Sequence, residues 1–139
     1  MTFPQIMASG QAGAERAALD WAVTNEVSHE ETSNEDFSEC AGKNVLHSNG
    51  TVIFTLSAKL GGRSKLTVKL ARKHQKPWLH INRKTPMPGM MLVSFIVYNR
   101  LTCLNVAGST ASEEPTIGHF VHQVLDQACG LLLDRETGN

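Results

Sequence analysis

The sequence predicts an α/β fold in which helices cover both faces of a mostly parallel sheet of four or more strands. Three observations predict it. Short apolar or β-branched runs alternate with stretches of helical periodicity, three of the runs end in breaks rich in small residues, and the last apolar stretch keeps helical spacing for four turns. Alternation of this kind demands crossover connections, which are right-handed and leave the strands buried between two helix layers. At 139 residues, with 41% hydrophobic and 19% charged residues, the composition is that of one soluble globular domain, residues 1–139.

Phe3 to Ala8 reads as a buried first strand, and Ser9-Gly10-Gln11-Ala12-Gly13 breaks it. In Ala14–Asn25, residues Ala14, Ala17, Ala18, Trp21 and Ala22 follow the spacing of a core-facing helical stripe. Residues 26–44 are acidic and polar and read as a loop with a short helix. Ser48-Asn49-Gly50 is a turn signal before Thr51–Leu56, a second strand rich in β-branched residues. The glycine loop Leu60-Gly61-Gly62-Arg63 precedes a helix over about Ser64–His74, with Leu66, Leu70 and Ala71 as its apolar face and its bases outward. Lys76-Pro77 stops it, and Trp78–Ile81 is a third strand. The apolar run 90–98 does not reveal its period; Pro86, Pro88 and Gly89 make a helix start, and a crossover is needed there. Leu101–Val106 is a fourth strand, ending in Ala107-Gly108-Ser109. Ile117, Phe120, Val121, Val124, Leu125, Ala128, Leu131 and Leu132 define the last helix, with residues 134–139 as a frayed tail.

No apolar run reaches the ~20 residues that cross a bilayer. The opening MTFPQIMASG lacks a basic segment followed by an apolar one, so no signal peptide is expected. Cys40, Cys103 and Cys129 share no CxxC spacing and read as reduced packing thiols, which suits a cytoplasmic protein. The net charge is zero but unevenly spread: residues 1–50 hold eight acids and two bases, residues 51–100 ten bases and no acid. A basic middle suits an anionic ligand, though the same bases on a solvated helix face could simply pair with the acidic flanks. Without aromatic interleaving or a nucleic-acid module, nucleic acid is ranked last as a partner.

Ligands of parallel sheets sit at the carboxyl ends of the strands, where glycine lets backbone approach and helix amino termini offer N–H groups. Ser9, Gly10, Gln11 and Gly13 before the first helix are candidate phosphate ligands, as are Gly61, Gly62, Arg63, Ser64 and Lys65 before the second. Gly108, Ser109, Thr110 and Ser112 precede the last helix. Each loop could equally be a plain tight turn. Neither GxGxxG nor GxxxxGK[ST] is present, so neither a standard dinucleotide site nor a Walker loop is expected.

Residues 9–22, SGQAGAERAALDWA, resemble the SGGQTGVDRAALDWA opening of the putative molybdenum carrier family. NGTVIFT (49–55) resembles its DGTLIFT strand, and LTVKLARKHQKPWLH (66–80) its LTxxLARKHGKPWLH stretch. LNVAG (104–108) with Ser112-Glu113-Glu114-Pro115 is similar to its LNVAGPRxSxxPGI segment. The resemblance spans nearly the whole chain. It implies a Rossmann-like three-layer fold of the LOG-related, lysine-decarboxylase-like superfamily, whose relatives bind nucleotides or the molybdenum cofactor. It adds Asn105 to the candidate ligand residues. The chain departs from the pattern with Ala12 for Thr, Ala14-Glu15 for Val-Asp, Arg63 for a glycine of TGGS and Ser109 for Pro.

The function expected is a binding or carrier protein for a phosphate-bearing pterin-type ligand, the molybdenum cofactor or a nucleotide-like relative. The alternative is a nucleoside-phosphate N-glycosidic hydrolase of the LOG-like type. Against it, Lys69 stands nearest to the Glu of the LOG-type PGGxGTxxE motif, in a segment without acids. His119 and His122, at i and i+3, lack further ligands at a zinc spacing, so no metal site is expected. A small phosphorylated ligand and a homo-oligomer are the expected partners, the apolar segment 90–98 packing either within the domain or against a neighbouring subunit.

Overall fold

The computed structural model describes residues 2–32 and 36–137. In chain order it contains β1 (Gln5–Ser9), α1 (Ala14–Thr24), β2 (His29–Thr32), α2 (Phe37–His47), β3 (Gly50–Phe54), α3 (Gly62–Lys73), β4 (Trp78–Ile81), α4 (Pro88–Tyr98), β5 (Cys103–Gly108) and α5 (Ile117–Thr137). The five strands form one sheet in the order β2-β1-β5-β3-β4, and every pairing is parallel. The α/β fold expected from the sequence holds.

Strand order dictates the layers. The chain moves one way along the sheet from β1 to β2 and from β4 to β5, and the other way from β2 to β3 and from β3 to β4. With right-handed crossovers, α1 and α4 therefore lie on one face and α2 and α3 on the other. The packing agrees: α5 lies against α1 and α4, and α2 pairs with α3. Between the layers sit Ile6, Leu19, Trp21, Phe54, Leu92, Ile96, Leu104 and Leu125, all buried. Trp21 keeps its ring in this core by donating Nε1–H to Asp126 Oδ1 at 2.8 Å.

Residues 26–44 hold the helix expected there, most of the eleven-residue α2, but also a strand, β2, that was not expected. The concealment of β2 has a physical cause. β2 is an edge strand, His-Glu-Glu-Thr, whose first three residues are exposed, so it carries no apolar signal. The ladder to β1 holds it, Ile6 opposite His29 through Ser9 opposite Thr32. α2 starts at the N-cap Asp36, whose carboxylate accepts from Ser38 N at 2.9 Å and Glu39 N at 3.3 Å. Its inward face is Cys40, Ala41, Asn44 and Val45, too polar to read as a stripe.

Two further expectations shift. The buried face of α3 is Ser64, Thr67, Val68 and Ala71, with Leu66 and Leu70 only half-buried. α5 continues through Thr137 where a frayed tail was expected, and residues 138–139 lie outside the described residues. Among the described residues no helix is long and apolar enough to cross a membrane.

Candidate functional site

β1 and β3 flank β5 at the centre of the sheet, and the chain leaves them toward opposite faces, α1 one way and α3 the other. Such a reversal opens a crevice at the strand ends. Here Ser9, Glu15, Phe37, Cys40, Ala41, Asn44, Arg63, Ser64, Thr67, Asn105, Ala107 and Gly108 line a hollow. It measures about 360 Å³ to its mouth, yet leaves only about 20 Å³ to the centre of a water-sized group. Its closed floor thus admits about one such group.

Of the sequence candidates, Ser9, Arg63, Ser64, Asn105 and Gly108 line this hollow. Gly10, Gln11, Gly13, Gly61, Gly62, Lys65, Ser109, Thr110 and Ser112 lie outside its lining. The turns before α1 and after β5 do converge, but on each other and on the end of β3. Ala14 N donates to Ser109 O at 3.0 Å, Ser109 N to Phe54 O at 3.0 Å, and Ala111 N to Ala12 O at 2.9 Å. Gly13 (φ 128°) and Gly108 (φ 150°) are required by this knot. A Cβ at Gly13 would stand 2.5 Å from Ser109 O, and one at Gly108 2.1 Å from Phe54 O.

Several donors of these turns already hold carboxylates of the chain itself. Glu114 accepts from Leu56 N at 2.8 Å, Ser57 N at 3.1 Å and Ser109 Oγ at 2.6 Å. Burial raises its carboxyl, but these hydrogen bonds and the Arg83 charge outweigh it, holding the group below the ordinary carboxylate value. Glu113 accepts from Thr110 N at 2.9 Å and Thr110 Oγ1 at 3.0 Å. Glu15, on the first turn of α1, reaches back to accept from Ser9 N at 3.1 Å and also from Ser9 Oγ. It is buried, and that burial pushes its carboxyl above the usual value; the Ser9 bonds and the Arg63 charge oppose the shift without cancelling it.

The amino terminus of α3 differs. Its N-cap is Gly61, with no side-chain cap, so the first-turn N–H groups lack intrahelical partners and the positive dipole end is uncovered. Neither glycine is demanded by packing. A Cβ at Gly61 would meet only Glu113 Oε2 at 3.7 Å, and one at Gly62 nothing within 4 Å. Arg63 and Lys65 are exposed beside it, Arg63 lying 4.6 Å above the centroid of the Phe37 ring.

Glu15, Phe37, Cys40, Ala41, Asn44, Thr67 and Ala107 join the hollow without having been singled out as ligand residues. The short helix expected within 26–44 has no assigned face in the sequence; the Asp36 cap with Cys40 and Asn44 one turn apart was the available signal. Among the described residues no cluster of three or more His, Cys, Asp or Glu could hold a metal ion.

Residues 26–129 match the circularly permutated YpsA SLOG family, and the chain belongs to that family. Among solved structures it is similar to one described as a putative molybdenum carrier protein from Syntrophus aciditrophicus SB. The two share 28% identity with a TM-score of 0.84, over 91% of this chain and 95% of that one. No curated protein matches. The family resemblance carried by the SGQAGAERAALDWA and LNVAG segments therefore holds.

Proposed function

We propose that the protein is a cytoplasmic binding or carrier protein for a phosphate-bearing pterin-type ligand, with the molybdenum cofactor as the candidate cargo. The observation that carries this reading is the uncapped amino terminus of α3, opening at Arg63 and Ser64 onto the hollow. Phosphate is set against Gly61, Gly62, Arg63, Ser64 and Lys65, where amides, dipole and two cations favour an anion. The ring system lies toward Ser9, Asn105 and Gly108. The donor set fits such cargo, since pterin and phosphate provide its handles and no protein ligand to a metal is needed. As it stands the hollow admits only about one water-sized group, so on this reading Arg63 turns off Phe37 as the ligand enters.

The test is mass spectrometry of the small molecule released when purified protein is denatured. A phosphorylated pterin is expected, with about tenfold less in Arg63→Glu and unchanged thermal unfolding of ligand-free protein. Equal loading of mutant and parent removes Arg63 from the site.

The same reading includes a homo-oligomer, supported by Met87, Met90 and Met91, which are 65%, 47% and 37% exposed at the start of α4; solution mass reads this directly. One observation favours the hydrolase alternative. Glu15 is a buried carboxyl at the hollow, a group of the kind tuned for proton transfer. Release of free base from a nucleoside monophosphate, abolished in Glu15→Gln, would decide for it.

A further inference from the structure

Among the described residues, one buried side-chain polar atom has no partner: Asn44 Oδ1. Asn44 is 3% exposed and lines the hollow from α2. Nδ2 of the same amide faces Cys40 Sγ at 4.0 Å, and Thr32 Oγ1 lies 3.3 Å from that sulfur. Oδ1 is left as a buried acceptor. An unanswered buried acceptor costs about 1–3 kcal/mol, so a protein that keeps one holds it for something that donates.

The second acceptor in the hollow is Glu15. Ser9 donates to it twice, both times at Oε1. Asn44 and Glu15 line the same hollow, which has room for about one water-sized group. An N–H group there finds an acceptor in either side chain, where a keto oxygen does not.

We infer that Glu15 and Asn44 form a donor-reading subsite, which takes the amino-bearing edge of a heterocycle while the phosphate stays at the α3 rim. This rests on the proposed binding function and specifies which end of the ligand goes in first. It makes the ring's amino group, rather than its phosphate, the feature that selects among ligands.

Pterin and lumazine, which carries oxygen where pterin carries its 2-amino group, are the probes, titrated by their fluorescence against the full chain. The parent is expected to favour pterin by roughly tenfold or more, about one hydrogen bond to a charged or buried acceptor. In Asn44→Leu, pterin affinity falls by about that factor, lumazine affinity is unchanged and the preference disappears. Glu15→Gln, which places an amide N–H₂ in the hollow, is a second route to the same loss. Equal affinity of the parent for both probes, or an intact preference in both variants, overturns the inference and leaves the carrier reading standing. Binding of neither probe by folded parent overturns the pterin reading, and this subsite with it.

Discussion

The β5–α5 turn and the α2–α3 side of the hollow lie at the same end of the sheet and were built from similar materials, yet they end in opposite states. In the first, Glu113 and Glu114 accept from the backbone N–H groups of Thr110, Leu56 and Ser57, and every bond is internal. In the second, α3 has no cap and Asn44 Oδ1 has no partner. A carboxylate placed by the chain satisfies the same N–H groups that a bound anion would. Small residues after a strand thus mark a close approach of backbone, and only the unsatisfied donors and acceptors mark where something else can bind.

That contrast breaks most severely at Gly108. Gly108→Ala forces a Cβ to 2.1 Å from Phe54 O at a φ of 150°, and a loss of about 3 kcal/mol or more is expected in urea unfolding. A loss below about 1 kcal/mol would mean that the knot of turns is looser than described. Next comes a matched pair. Glu114→Gln removes the charge and turns one of the two oxygens that together accept three hydrogen bonds into an N–H₂ donor, and is expected to destabilise by about 1–3 kcal/mol. Asn44→Leu removes an acceptor that bonds nothing and is expected to leave stability unchanged or to raise it by up to about 1–3 kcal/mol. Similar losses in both would erase the distinction between a closed region and an open one.

The smallest effect is in pH dependence, and its sign differs between the two carboxyls. Glu114 has its folded value below the ordinary 4.5, so its stabilisation is present above that value and fades as pH falls through the folded one. Glu15 has its folded value above 4.5, so its contribution is complete below 4.5 and is lost as pH rises through the folded value. Relative to the parent, Glu15→Gln should therefore gain stability from acid to neutral pH, while Glu114→Gln should lose it. Slopes of the same sign would show that one carboxyl is not held as its hydrogen bonds indicate.

The sequence was legible where burial is uniform. β3, GTVIF, is buried throughout, and α1 shows its stripe from Ala14 to Ala22 because apolar side chains repeat at helical spacing. Legibility failed in β2 and in the inward face of α2, where an edge strand exposes charges and a helix turns Cys40 and Asn44 inward. The candidate site inherited that gap. Ser9, Arg63, Ser64, Asn105 and Gly108 could be found from turns and motifs. Glu15 and Asn44 could not, since a carboxylate in the first turn of a helix and an amide within one read as solvated until a partner helix covers them.

By itself the sequence determined the alternation of strands and helices, the parallel sheet and the family, because hydrophobic periodicity and short motifs are local properties of a chain. Which glycines pack and which stay open, which amides meet a carboxylate and which do not, were decided by tertiary structure alone. Hydrogen-bond satisfaction depends on what lies opposite: Leu56 meets Glu114 across 58 residues. No window along the chain holds both members of such a pair.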